Sequence, residues 1–135
     1  MGSGQLQSPN YPNKYPNDKD CHWIITAPFG FAIVLDFQTF EVRYNFYTYL
    51  DRLCWTKENR NQQNICFQTE ALGCDYDYVD IRDGGVATST KLGKFCGNKL
   101  PNTIKSTGNQ LFVRFRSDSS GQRKGFSASF TKGKK

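Results

Sequence analysis

The strongest constraint in this chain is a two-residue rhythm of apolar side chains. Phe31, Ile33, Leu35 and Phe37 fall on one side of the rhythm, with Ala32, Val34 and Asp36 between them. Leu111, Val113 and Phe115 alternate with Phe112, Arg114 and Arg116. Phe126, Ala128 and Phe130 alternate with Ser127 and Ser129, and Val79 and Ile81 with Tyr78, Asp80 and Arg82. Successive side chains point to opposite faces only in a strand, so these runs predict half-buried antiparallel strands rather than helices. Breaks separate them: Pro9, Pro12 and Pro16 early in the chain, then Pro28-Phe29-Gly30, then Asp83-Gly84-Gly85. With 135 residues, that many short strands predict one all-β domain, an antiparallel, jelly-roll-like sandwich of two sheets.

Residues 44–73 break the rhythm. The segment opens rich in aromatics (Tyr44, Phe46, Tyr47, Tyr49, Trp55) and turns polar from Lys57 to Asn64. It is too long for an ordinary strand connection and reads as an insertion with its own staple. The five cysteines are Cys21, Cys54, Cys66, Cys74 and Cys96. Without zinc-type spacing or further histidines, they predict a disulfide framework and an oxidising compartment. Cys54 and Cys66 bracket the polar part of the insertion, and a hairpin would bring Cys74 to Cys96. Cys21 is left as a free, buried thiol.

Other classes drop out on simple grounds. No apolar run approaches the roughly 18–20 residues that span a bilayer. Met1, Gly2 and Ser3 read as an expression remnant rather than a signal peptide. The net charge is +6, but half of it comes from Lys132, Lys134 and Lys135, read as a basic tail over 132–135, so nucleic acid is not an expected partner. The single histidine, His22, stands beside Trp23 and reads as partly buried and structural. No nucleophile or metalloprotease motif accompanies it, and the chain is expected to be non-catalytic.

Ser8-Pro9-Asn10-Tyr11-Pro12, Tyr15-Pro16 and Cys21-His22-Trp23-Ile24-Ile25 resemble the opening of a CUB domain. The likeness continues through Phe37-Gln38-Thr39-Phe40-Glu41-Val42, Cys74-Asp75-Tyr76-Asp77-Tyr78-Val79-Asp80, Leu92-Gly93-Lys94-Phe95-Cys96-Gly97, Ser106-Thr107-Gly108-Asn109 and Phe115-Arg116-Ser117-Asp118-Ser119. It covers residues 4–131 apart from the insertion, and is closest to CUB modules of tolloid-type astacin metalloproteases, with complement-initiating proteases and neuropilins as relatives. The resemblance implies a secreted β-sandwich that binds proteins. It also implies four cysteines paired first to second and third to fourth. Cys21, Cys74 and Cys96 match the last three, and the first would lie ahead of Gly4.

Many CUB domains bind one Ca²⁺, and the resemblance carries that expectation here. Asp77 matches the Asp of the C-x-Y-D motif and Asp118 that of S-D-x-S. The third ligand, a Glu, departs from the pattern. Read forward from Phe37, its position falls on Arg43. Read backward from Cys74, Glu70 suits the spacing and is favoured, with Glu41 as the alternative. Tyr15 matches a tyrosine that hydrogen-bonds a calcium ligand, although packing against Pro16 would equally account for it.

Two functions follow as expectations. The first is an extracellular protein-interaction module, Ca²⁺-stabilised, serving as an exosite or assembly domain of a larger secreted protein and engaging a partner lysine. The second is calcium-independent binding of glycosaminoglycan or anionic matrix by Arg114, Arg116, Arg123, Lys124 and the C-terminal lysines.

Overall fold

The computed structural model describes residues 3–43, 45–46, 72–74 and 76–135. Ten strands follow one another: β1 (Ser3–Gln7), β2 (Asp20–Thr26), β3 (Phe31–Glu41), β4 (Asn45–Phe46), β5 (Leu72–Gly73), β6 (Tyr78–Asp83), β7 (Thr90–Phe95), β8 (Ile104–Lys105), β9 (Gln110–Arg116) and β10 (Gly125–Lys134). There is no helix among the described residues. One antiparallel sheet runs β1-β10-β3-β8 and the other β2-β9-β6-β7.

The core is what the alternation predicts for β3, β6 and β9. Ile33, Leu35, Val79, Ile81, Leu111, Val113 and Phe115 are all fully buried. Phe126 joins the layers, lying 5.7 Å from Phe115, 6.0 Å from Phe37 and 6.1 Å from Trp23, centroid to centroid. Offset and edge-on aromatic contacts of this kind add to the area they bury.

Four details differ from the sequence reading. Opposite β10, strand β3 carries one extra residue: Ser127 faces Thr39 and Ala128 faces Phe37, so Gln38 and Thr39 are both exposed between buried Phe37 and Phe40. A bulge sets two residues against one, so strict alternation fails there. Phe112, expected outward, is buried, and His22 stacks over it at 5.6 Å while itself exposed. The histidine is thus a cover on the outer face, not a partly buried residue. Cys21 is a free thiol but only half-buried, because it lies near the start of β2, an edge strand with a partner on one side alone.

Residues 132–134, read as the start of a tail, continue β10, pairing Lys132 with Ile33 and Lys134 with Phe31. Cys74 and Cys96 are bridged with Cα atoms 5.6 Å apart, closing the ends of the β6–β7 hairpin. At the base of the insertion, β4 and β5 pair with each other, Asn45 with Gly73 and Phe46 with Leu72, so the chain leaves and returns side by side. The expected Cys54–Cys66 bridge and Glu70 lie outside the described residues.

Candidate functional site

One end of the sandwich gathers the carboxylates singled out above. Asp77 lies one residue before β6, on the face of Val79 and Ile81, and is driven inward to full burial. A carboxylate there needs hydrogen bonds in place of water. The Tyr15 hydroxyl donates to Asp77 Oδ2 at 2.6 Å, and the Asp118 backbone N–H donates to Oδ1 at 2.8 Å. Tyr15 is itself buried, edge-on to Phe115 at 4.9 Å. It therefore packs and hydrogen-bonds at once, and ties the site to the core. Burial pushes the Asp77 carboxyl above its usual 3.8, against the lowering pull of those two donors. Burial likewise holds the Tyr15 phenol well above the ordinary tyrosine range, so it remains a donor.

Asp118 follows β9 in a loop laced to the segment before β2. Its carbonyl accepts from the Asp18 N–H at 2.8 Å, and Ser117 Oγ accepts from the Lys19 N–H at 2.9 Å while donating to the Pro16 carbonyl. Into this loop reaches Arg43. Its backbone N–H donates to the Tyr15 hydroxyl at 3.1 Å. Its guanidinium Nη1 lies 3.5 Å from Asp118 Oδ1, 2.6 Å from the Ser120 carbonyl and 3.1 Å from Ser120 Oγ. The guanidinium also lies 4.1 Å from the centre of the Tyr76 ring. Gly121 has φ +83°, and a Cβ there would overlap the Arg43 side chain, so the glycine serves both the turn and the fit.

Asp77 and Asp118 are brought together, with Tyr15 on Asp77, as the sequence reading anticipates for those three. Glu41 is engaged elsewhere: Oε1 accepts from the Lys124 N–H at 3.3 Å. Ca²⁺ takes six to eight oxygens, with carboxylates converging from separate loops. The described residues do not fit that demand. Where the pattern expects the third acid stands Arg43, and its guanidinium lies against Asp118. Among the described residues no group of three or more His, Cys, Asp or Glu could hold a metal ion.

Sequence reasoning set Arg43 aside as unable to ligate a cation, and missed that it would contact the same carboxylate. Tyr76 and Ser120 were missed with it. The available signal was a positive residue in the register of an expected acid.

The basic residues do not form a free row. Arg114 grips Asp20 through Nε and Nη2 at 2.8 and 2.7 Å, raising its own pKa and lowering that of Asp20. Arg123 Nη1 donates to the carbonyls of Gly121 and Gln122, and the Lys132 ammonium sits over the Phe31 ring. Arg116 is exposed beside a groove of about 560 Å³ that also takes in Asp18, Lys19, Tyr76, Tyr78 and Asp118.

The fold has counterparts among known proteins. The family model for the CUB domain matches residues 1–69 and 63–130, two stretches that overlap at 63–69 within the insertion. The bone morphogenetic protein 1 homolog of Strongylocentrotus purpuratus is 41% identical over 132 residues, covering 98% of this chain and 17% of that protein. The dorsal-ventral patterning protein tolloid of Drosophila melanogaster is 42% identical over 123 residues, covering 91% and 9%. Among solved structures, the MASP-1 CUB2 domain bound to Ca²⁺ superposes with a TM-score of 0.71 at 29% identity, covering 97% of this chain and 93% of that one.

Proposed function

The chain belongs to the CUB domain family, extracellular non-catalytic modules, and from that premise we propose that it is the exosite or assembly domain of a longer secreted protein of the tolloid type. The observation that carries this reading is an asymmetry of coverage. Nearly the whole chain aligns with the tolloid-type relatives, yet it spans only 9–17% of their length.

The working end in this reading is the groove beside Asp118. Its carboxylates include Asp18 and Asp118, the latter met by Arg43 at Oδ1 only, and its wall carries Tyr76 and Tyr78, with Lys19 and Arg116 also lining it. A lysine of the partner suits that chemistry: the ammonium meets carboxylates while the methylene stem lies along the rings. In the anionic-matrix alternative, Arg114 would have to exchange its pairing with Asp20 for the ligand.

Titrating the ¹⁵N-labelled chain with an Nα-acetyl-lysine amide tests the site. Shifts are expected at residues 76–78 and 117–120 and should vanish in Asp118→Ala. Shifts spread elsewhere, or surviving that substitution, would rule out the groove.

A further inference from the structure

We infer that the Arg43 guanidinium is the resident cation of the Asp77–Asp118 end, ordering its loops in place of a bound Ca²⁺, so that this module works without calcium. The inference rests on reading this end as the working end of the module.

Asp77 and Asp118 are joined by a hydrogen bond from the backbone of one to the carboxylate of the other, so two acidic residues meet at the mouth of the core. Such a pair calls for a cation. Arg43 delivers one from two residues beyond β3, directly after Val42, which is held by reciprocal backbone bonds to Gly97. Its position is therefore set by the sheet.

The surroundings are shaped to a planar cation. An acidic side chain, a backbone carbonyl and a hydroxyl accept from Nη1, a tyrosine face covers the guanidinium, and a glycine with positive φ leaves room for the stem. Carbonyl, hydroxyl and carboxylate oxygens are the donors that a hard dication would also use. Here they converge on an arginine already tethered through its own N–H to Tyr15, the residue that braces Asp77. A single side chain thus links the loop 118–121, the Asp77 pair and the Tyr76 turn.

The test compares the whole chain and two variants by thermal unfolding, in millimolar CaCl₂ and in chelator. The unsubstituted chain should melt at the same temperature in both. Arg43→Gln should melt several degrees lower, equally in both, since the cation is lost and no ligand is gained. Arg43→Glu supplies a third carboxylate and should acquire calcium dependence, with a shift on the order of 5–10 °C at hundredfold excess over its Kd. An unsubstituted chain stabilised by CaCl₂, or an Arg43→Gln chain that melts like the parent, would overturn the inference. Should Arg43→Glu fold in neither condition, the other two chains still decide. No partner enters this readout, so it and the lysine titration fail separately.

Discussion

Asp77→Ala is expected to lower the unfolding free energy by about 2–5 kcal/mol, since two buried donors, the Tyr15 hydroxyl and the Asp118 N–H, lose their acceptor at once. Each orphaned donor costs about 1–3 kcal/mol, and a small cavity adds to that. Asp77→Asn should cost far less, about 1 kcal/mol, because the amide oxygen can still accept from Asp118. Urea unfolding of the two variants checks the contrast, and equal losses would mean that shape rather than hydrogen bonding sets the value of this residue. A pH signature accompanies it. The folded-state pKa of Asp77 is raised above the usual 3.8, so the native state holds that proton more tightly than the unfolded chain. The stabilisation from that group is present below the unfolded value and is lost as the pH rises through the folded one. Asp77→Asn should remove this slope.

Replacing Cys74 and Cys96 together by serine should cost roughly 3 kcal/mol by the loop-entropy estimate for a separation of 22 residues. The effect reaches the site as well. Cys74 is three residues before Asp77, and the bridge pins the hairpin whose first strand begins directly after that carboxylate. The double variant should therefore lose the lysine-probe shifts at 76–78 under conditions where it is still folded. Cys21→Ser, at an unpaired half-buried thiol, should stay within about 1 kcal/mol of the parent. A double variant as stable as the parent would show that the hairpin holds itself.

The central strands were legible because burial on one face imposes a period that survives in the residues. Ile33 and Leu35, Val79 and Ile81, and Leu111, Val113 and Phe115 all face inward as their spacing predicts. The edge strands β1 and β8 were not legible. Ser3–Gln7 carries a single apolar side chain, Leu6, and owes its strand to pairing with β10, more than a hundred residues away. Local rhythm cannot encode a distant partner. The bulge at Gln38 is invisible for the same reason, since it exists only in the register between β10 and β3.

At that end of the sandwich, the motifs around Asp77 and Asp118 name residues that the fold brings together, and Tyr15 meets Asp77 through its hydroxyl. What they could not show was the occupant. Arg43 reads as a missing ligand when each position is compared with a pattern. It reads as a replacement only when its guanidinium is seen between Asp118, Ser120 and Tyr76.

A crystal structure of the chain grown in millimolar CaCl₂ tests that assignment most directly. Arg43 Nη1 is expected on the Ser120 carbonyl and beside Asp118, with no metal at this end. Calcium held by Asp77 and Asp118, with Glu70 or Glu41 completing the set and Arg43 turned out to solvent, would contradict it.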